Sequence, residues 1–341
     1  MSDINVTLLK QRIELAKSIV IFSHVNPDGD ALGSTLCLFN FLKSLGKDSC
    51  VILPNDIPDY LKWLPGASDV IVDKVSRNKS DKCIRNADLL ICMDFNEMKR
   101  TDQLKDRIIA SMAFKIVIDH HPFPSNEFDL VYSRTDISST SEWIYHLLGQ
   151  LYGSEQIPYD SLIAAYTGIM TDTGNFVHNT WPSTFIIVSE MLARGINRDQ
   201  IYSKVFDNYS VDRMRLLGMC IKDNMVFKPE YNTAYITLTK KEQEAYNFNQ
   251  GDSEGFVNIP LSIKEVVFSA FFIEKDNHVK ISLRSKGVFD VNEIARNYFN
   301  GGGHKNASGG ELKMSMSEVV QIMENLLPEY KTKLNDAINS K

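Results

Sequence analysis

The sequence predicts an α/β protein of two domains, in which a parallel-sheet N-terminal domain is joined by a helical linker to a smaller α+β domain. The chain has 341 residues, about twice the length of a typical domain. In its first half, short β-branched and aliphatic runs alternate with helical segments, as in a parallel sheet covered by helices. Strands joined by tight turns in the second half favour an α+β arrangement. We place the domains at residues 1–196 and 225–341, with the linker at 197–224.

The strands of the N-terminal domain are continuous apolar runs, such as LLICM and KIVI, which is typical of strands buried on both faces. We predict strands at Ser18–Phe22, Ser49–Leu53, Leu89–Met93 and Lys115–Ile118. Apolar residues at helical spacing predict helices at Ala31–Leu45, Ser139–Leu151, Tyr159–Met170 and Ser183–Arg194.

The linker is polar and helical in pattern and has no strand signal. Beyond it we predict strands at Thr233–Thr239, Val266–Ile273, Val279–Leu283 and Gly310–Met314. A turn is expected at Lys275–Asn277, and a helix at Val291–Tyr298.

Composition and charge exclude several classes of function. A formal net charge of −6 disfavours binding to long duplex nucleic acid. No apolar run is long enough to span a membrane, and the N-terminus lacks the apolar segment of a signal peptide. The five cysteines form no CxxC pair and fit a reducing compartment. We therefore expect a cytoplasmic protein that does not associate with membranes.

The first segment with chemical content is the loop SHVNPDGD, which follows the predicted strand Ser18–Phe22. His24, Asp28 and Asp30 bring one imidazole and two carboxylates into seven residues. Loops at the carboxyl ends of strands are where open α/β sheets bind ligands. Taken alone, the loop is also consistent with an ordinary turn whose aspartates cap the following helix.

Three further segments carry potential metal ligands at the ends of predicted strands or helices. Asp94 follows Leu89–Met93, the triplet Asp119-His120-His121 follows Lys115–Ile118, and Asp172 lies at the end of a helix. Each aspartate alone is consistent with a helix cap or a solvated carboxylate. Together, two imidazoles and four carboxylates suffice for two divalent ions: His24, Asp28, Asp30, Asp94, His120 and Asp172.

The donor set favours manganese, with magnesium as the alternative, over structural zinc, because no cysteine accompanies the carboxylates. Two such ions a few ångströms apart can activate water and clamp the oxygens of an in-line phosphoryl displacement. The sequence therefore predicts phosphoester hydrolysis.

A second constellation lies in the C-terminal domain. Arg284 follows the predicted strand Val279–Leu283, and the glycines of the triplet Gly301–Gly303 precede His304 and Lys305. Backbone N–H groups of the glycines can surround an anion, and the side chains of Arg284, His304 and Lys305 can offer charge-assisted hydrogen bonds. A glycine triplet alone is equally typical of a flexible turn. With its neighbours it predicts phosphate binding.

The ordered motifs HxxxDGD, Asp94, DHH, Asp172 and GGGH resemble those of the DHH phosphoesterases that carry a DHH-associated C-terminal domain. The resemblance spans nearly the whole chain and is specifically to the RecJ-like branch of the family. Within that branch, the compact length of the chain is similar to that of the NrnA-type enzymes. It implies a DHH catalytic domain and a DHH-associated substrate-binding domain. The implied substrates are nano-RNA, linear dinucleotides such as pApA, and 3′-phosphoadenosine 5′-phosphate.

The resemblance also implies individual roles. His24 and Asp28 would hold one ion and Asp30, His120 and Asp172 the other, with Asp94 as the bridge between them. Asp94 would act in catalysis together with His121, which faces the substrate phosphate, and with Asp119, which orients the motif. The substrate would be held in the cleft between the domains by a second set: Arg284, Gly301, Gly302, Gly303 and His304.

Three alternative functions have less support from the sequence. The same site chemistry suits a short-chain exopolyphosphatase, although the sequence lacks an extended basic tract for a long polyphosphate. An inactive nucleotide-binding regulator is disfavoured because all six ligand positions are intact. A processive RecJ-type exonuclease is disfavoured because the chain has no room for an added nucleic-acid-binding domain. The sequence is compatible with a homodimer.

Overall fold

The computed structural model describes residues 6–207, 209–249 and 251–339. The chain divides into two compact units, residues 1–208 and 209–341, each built around its own sheet. The predicted fold class is confirmed. The division falls within the range 197–224 that the sequence predicts as a linker. Among the described residues, no helix combines the length and apolar character needed to cross a lipid bilayer.

The first unit contains a six-stranded sheet in which every pair of neighbours is parallel. Its order is β3-β2-β1-β4-β5-β6. The strands are β1 (Ser18–Phe22), β2 (Asp48–Leu53), β3 (Ile71–Val72), β4 (Leu89–Met93), β5 (Phe114–Asp119) and β6 (Leu130–Ser133). The parallel sheet that the sequence predicts is thus confirmed, with short strands added at both edges.

Helices cover both faces of this sheet. They are α1 (Val6–Leu15), α2 (Gly29–Ser44), α3 (Asp73–Asn86), α4 (Lys105–Ala110), α5 (Thr140–Tyr152), α6 (Tyr159–Asp172), α7 (Pro182–Ala193) and α8 (Arg198–Phe206). Successive residues of β1 point to opposite faces. Ile19 and Ile21 join the core with α2, α5 and α6, whereas Val20 and Phe22 join a second core with α3 and α4. This two-sided burial is the physical reason for the continuous apolar runs.

The order of the strands reverses between β1 and β4. From β1 the chain runs outward through β2 and β3, and from β4 it runs outward through β5 and β6 on the other side. At such a reversal, the loops that leave the carboxyl ends of the two central strands diverge and open a crevice. The topology therefore predicts a ligand site beyond the ends of β1 and β4.

The second unit has a mixed six-stranded sheet in the order β11-β12-β10-β9-β8-β7. Among the described strands, the β8–β9 pair is parallel and the other four pairs of neighbours are antiparallel. The strands are β7 (Met225–Lys228), β8 (Thr233–Leu238), β9 (Phe268–Glu274), β10 (Val279–Ser285), β11 (Gly302–His304) and β12 (Ala307–Leu312). The helices are α9 (Val211–Lys222), α10 (Lys240–Ala245), α11 (Val291–Tyr298) and α12 (Met316–Asn339).

Both faces of the second sheet are also covered. Helices α11 and α12 pack on one face through residues such as Ile294 and Leu327. On the other face, Leu216 and Cys220 of α9 pack with Ile236 of β8. Helix α9 therefore contributes to a hydrophobic core of the second unit, although it lies in the range predicted as a linker.

Candidate metal centre

The predicted metal ligands lie around the crevice where the strand order reverses. His24 follows β1, Asp94 follows β4, and His120 follows β5. Because β4 is hydrogen-bonded to β1 on one side and to β5 on the other, the loops after the three strands emerge side by side. Asp30 reaches the crevice from the first turn of α2, and Asp172 reaches it from the last residue of α6.

Asp28 serves as the N-cap of α2. Its Oδ1 accepts hydrogen bonds from the backbone N–H groups of Asp30 at 3.0 Å and Ala31 at 2.9 Å. The helix thus begins at Gly29, two residues before the predicted start, because the capping carboxylate satisfies its first N–H groups. Asp28 also has a carboxylate oxygen close to potential ligand atoms of His24 and Asp94. The three atoms lie within 4.8 Å of one another. Capping and metal binding are therefore compatible roles.

Asp94 lies between two imidazoles. Its backbone has a positive φ of 64°, a conformation that aspartate adopts more readily than most residues. Its Oδ2 lies 3.5 Å from Nε2 of His24, and its Oδ1 lies 3.5 Å from Nε2 of His120. The two oxygens of one carboxylate thus face two different histidines.

His120 lies at the centre of a second group of ligand atoms. Its Nε2 is 3.7 Å from Oδ2 of Asp30 and 3.8 Å from Oδ2 of Asp172. Ligand atoms of these three residues lie within 4.8 Å of one another. His120 and Asp30 are buried, whereas the side chain of Asp172 is 29% exposed. The structure therefore brings together all six residues that the sequence selects as metal ligands.

The N-terminus of α5 holds two of these carboxylates. The backbone N–H groups of Thr140 and Ser141 donate to Oδ2 and Oδ1 of Asp30, at 2.7 and 2.8 Å. The hydroxyl of Thr140 donates to Oδ1 of Asp94 at 2.8 Å. Such hydrogen bonds fix the direction in which a carboxylate presents its remaining lone pairs. Thr140 and Ser141 are not among the predicted site residues, although the helix start in SSTSE, with Ser139 as N-cap, is a recognisable signal.

Glycines allow the helices that carry Asp30 and Asp172 to approach one another. A Cβ atom on Gly33 of α2 would lie 2.6 Å from the carbonyl oxygen of Ala164 on α6. A Cβ atom on Gly168 of α6 would lie 1.9 Å from Oγ of Ser141 and 3.1 Å from Oδ1 of Asp30. Close contact between α2, α5 and α6 at this end of the sheet therefore requires glycine at both positions.

The electrostatics of the cluster fit divalent cations. Burial raises the pKa of Asp30 and Asp94, and the charge of Asp94 adds to the effect on Asp30, as the charge of Asp28 does on Asp94. Burial, followed by the positive charge of Arg100, lowers the pKa of His24 to about 4, which leaves its imidazole neutral. Within the described part of the chain, neither Asp30 nor Asp94 forms an ion pair with a lysine or arginine. A divalent cation would stabilise the crowded carboxylates beside the neutral imidazole of His24, and oxygen-rich sites with nitrogen ligands suit manganese or magnesium.

His121 lies near Asp94, as His120 does, and also has partners of its own. Its Nδ1 lies 2.8 Å from Oδ1 of the buried Asp119 and 3.7 Å from Oδ1 of Asp94. Its Nε2 lies 3.2 Å from Nη1 of Arg100, a residue that the sequence analysis did not select. A lone arginine six residues after Asp94 has no spacing that would distinguish it from a surface residue.

Arg284 and His304 lie in register on one face of the second sheet. Both are paired with Ala307, Arg284 from β10 on one side and His304 from β11 on the other. Directly paired residues project to the same face of a sheet. Nη1 of Arg284 also donates to the carbonyl of Leu283 at 3.0 Å.

Two residues of the glycine triplet lie in a strand and not in a flexible turn. Gly302 and Gly303 belong to the edge strand β11, paired with Gly309 and Ser308 of β12. The N–H of Gly301 donates to the carbonyl of Ala295 at 3.0 Å. Gly303 has a φ of 145°, and a Cβ there would lie 2.6 Å from the carbonyl of Ala307, so the strand tolerates only glycine. Tight strand pairing thus explains the glycines, and part of their backbone is unavailable for surrounding an anion.

Comparisons with known proteins identify both units. Residues 18–169 match the DHH family, N-terminal domain, and residues 232–339 match the DHHA1 domain. The chain is 32% identical to the probable bifunctional oligoribonuclease and PAP phosphatase NrnA of Streptococcus mutans serotype c, over 93% of this chain and 97% of the relative. It is 26% identical to the bifunctional oligoribonuclease and PAP phosphatase NrnA of Bacillus subtilis, over 94% and 97% of the two chains. A solved structure, an exopolyphosphatase-related protein from Bacteroides fragilis, has a TM-score of 0.92 and 45% identity, with 97% of each chain covered.

Proposed function

The chain belongs to the DHH family, and from this premise we propose that it is a phosphoesterase that hydrolyses short oligonucleotides and 3′-phosphoadenosine 5′-phosphate with two divalent metal ions. The position of Asp94 carries the proposal. Its two carboxylate oxygens each lie 3.5 Å from a different imidazole, one belonging to His24 and the other to His120. A carboxylate placed in this way can serve two ions at once.

The ligands divide into two sets around Asp94. One ion would be held by His24 and Asp28, and the other by Asp30, His120 and Asp172, with Asp94 in both sets. Manganese is the proposed metal, because the donors are carboxylates and imidazoles without a thiolate. Two bound ions would polarise the phosphoryl group and make water a stronger nucleophile at neutral pH.

The protein prepares the site through residues that orient the ligands. Backbone N–H groups of α5 hold both oxygens of Asp30, and the hydroxyl of Thr140 holds one oxygen of Asp94. Fixed in this way, the carboxylates need little rearrangement when the ions bind. Asp119 accepts from Nδ1 of His121 and fixes the orientation of that ring.

In this proposal, the second unit binds the part of the substrate that lies away from the metals. Arg284 and His304 project from one face of the sheet and offer donors to a phosphate or a nucleoside. Gly301, Gly302 and Gly303 keep the adjoining backbone close to the neighbouring strand. Binding energy from this remote part of the substrate would position the scissile phosphate.

The substrate class follows from the relatives. The match to each of the two NrnA relatives covers 97% of the relative's length, so nearly the whole of each relative is compared. Linear dinucleotides such as pApA fit the same chemistry. The 45% identity to an exopolyphosphatase-related protein supports a second candidate, hydrolysis of short polyphosphates. An inactive regulator has less support, because all six ligand positions are occupied by competent side chains.

All five cysteines are free, which supports a reducing location such as the cytoplasm.

A substrate panel tests the proposal. Purified protein with manganese is incubated with pApA, 3′-phosphoadenosine 5′-phosphate and tripolyphosphate, and products are resolved by chromatography. We expect hydrolysis of the two nucleotides, abolished by a chelator and restored by manganese. Preferential hydrolysis of tripolyphosphate would replace the leading function with the second candidate. Absence of hydrolysis of all three compounds would contradict both.

A further inference from the structure

Arg100 lies at the edge of the metal centre, on the segment that follows β4. It belongs to a short 3-10 helix, Met98–Leu104, and its side chain is half-buried. Its carbonyl accepts a hydrogen bond from the N–H of Val25 at 2.8 Å. This bond ties the arginine segment to the loop that carries His24. The position of Arg100 relative to the cluster is therefore fixed by the main chain.

Arg100 forms no close ion pair within the described residues, in contrast to two other half-buried arginines of this unit. Arg107 pairs with Asp73 and Asp81, and Arg134 pairs with Asp136 at 2.8 Å. Within the part of the chain that the structure describes, no carboxylate oxygen lies within 4.0 Å of the Arg100 guanidinium, and only Nη1 donates hydrogen bonds. The Nε and Nη2 donors of Arg100 are therefore available for a bidentate contact.

The hydrogen bond between Arg100 and His121 determines the tautomer of the imidazole. A guanidinium can only donate, so Nε2 of His121, 3.2 Å from Nη1, must accept. The proton of the neutral ring then lies on Nδ1, which donates to Oδ1 of Asp119 at 2.8 Å. Asp119 and His121 thus form a chain of oriented groups that ends at the guanidinium. Nη1 of Arg100 also donates a hydrogen bond to the backbone carbonyl of Asp94 at 3.5 Å, which further restrains the guanidinium.

We propose that Arg100 binds a phosphate group of the substrate directly, and that Asp119 and His121 act as positioning residues that hold its guanidinium toward the metal centre. The inference rests on the proposed phosphoesterase function and adds a substrate-binding cation within the first unit itself. A planar guanidinium with two donors on one edge matches the geometry of two phosphate oxygens. The Nε and Nη2 donors make no hydrogen bond within the described part of the chain, and two oxygens of one phosphate would satisfy both.

The test compares Arg100→Ala and Arg100→Gln with the wild type, using inorganic phosphate as the probe. Glutamine keeps an N–H donor that can reach His121 but removes the charge. Arg85→Ala is the matched control, because Arg85 is an exposed arginine on α3. Calorimetry on the full-length, manganese-loaded protein should show phosphate binding weakened about tenfold or more in both Arg100 variants, the scale of one charge-assisted contact. The control should bind phosphate as the wild type does.

A manganese titration and a kinetic measurement separate binding of phosphate from support of the fold. Both Arg100 variants should bind the wild-type number of manganese ions. On pApA, Arg100→Ala should lower kcat/KM by about 10²-fold, and added guanidinium chloride at low concentration should restore part of the loss. Wild-type protein that binds no phosphate, or an Arg100→Gln variant that binds it as tightly as the wild type, overturns the inference. A wild type that binds phosphate through Arg100 but hydrolyses no substrate would instead overturn the proposed function alone.

Discussion

Several residues of the metal centre combine a structural role with the proposed chemical one. Asp28 caps α2 with one oxygen and lies in a group with His24 and Asp94. Asp94 accepts from Thr140 while it faces two imidazoles. A carboxylate has about four lone-pair sites, so one oxygen can satisfy the protein while others remain for a cation. A cap and a ligand are therefore not competing interpretations of the same aspartate.

The exchange of His121 for alanine tests the difference between the two neighbouring histidines. His121→Ala should leave metal binding intact, because the ring contacts Asp119 and Arg100, and should depress turnover by about 10²-fold, the scale of losing one group that supports the transition state. Calorimetric titration with manganese and steady-state kinetics on pApA measure the two effects. Loss of an ion from His121→Ala would reverse the proposed roles of His120 and His121.

At this scale the sequence predicts residue types with unusual chemistry and misses ordinary ones. His24, Asp94 and His120 stand at strand ends, and the structure brings them together, although their roles as ligands stay a prediction. Thr140 and Arg100 were not selected. Their importance comes from hydrogen bonds to residues far away in sequence, which only the folded backbone creates.

Among the elements, the junction of α2, α5 and α6 determines the geometry of the site. The N-terminus of α5 presents N–H groups to Asp30, and the glycines of α2 and α6 allow this approach. The partial positive charge of a helix N-terminus stabilises a nearby carboxylate. The helices therefore act as electrostatic supports as well as scaffolding.

Exchange of Gly168 for alanine tests this junction. Because the new Cβ would meet Oγ of Ser141 at 1.9 Å, we expect Gly168→Ala to lower the free energy of unfolding by about 1–3 kcal/mol and to weaken manganese binding. Gly218→Ala on α9 is the control, since no atom lies within 4 Å of its added Cβ. Urea unfolding and calorimetry measure both quantities. Equal stability and metal affinity in Gly168→Ala and wild type would show that α6 can move without consequence.

The edge strands that the sequence missed or misjudged share a cause. β3 has two residues and β6 has four, too few to establish a periodic pattern. The strand β11 consists of two glycines and a histidine, residue types that suggest a turn, and it forms because β12 provides a partner close by. Short edge strands depend on tertiary pairing more than on their own residues.

The whole molecule consists of two units with separate cores and complementary chemistry. The first unit gathers carboxylates and imidazoles, and the second presents Arg284 and His304 on one sheet face. The proposed division of labour, with metals in one unit and substrate binding in the other, has a kinetic consequence. Residues that bind the remote part of a substrate should matter only for substrates that have such a part.

Exchange of Arg284 for alanine examines this division. Arg284→Ala should strongly reduce kcat/KM for pApA while hydrolysis of bis-p-nitrophenyl phosphate, which lacks a second phosphate, stays nearly unchanged. Lys280→Ala is the control, an exposed cation on the same strand β10. Equal losses on both substrates would place Arg284 at the reacting phosphate. Wild-type activity on pApA would remove Arg284 and its strand from substrate binding.

The count of bound manganese ions tests the central claim most directly. Metal-free wild-type protein is titrated with manganese, and the same titration is repeated with Asp94→Ala. We predict two ions per wild-type chain, with hydrolysis of pApA appearing only when both are bound. Asp94→Ala should keep its fold but lose metal occupancy and activity, because one carboxylate serves both ligand sets. A wild type saturated by a single ion, or an Asp94→Ala variant that binds two ions and keeps more than about a tenth of the activity, would contradict the two-metal account.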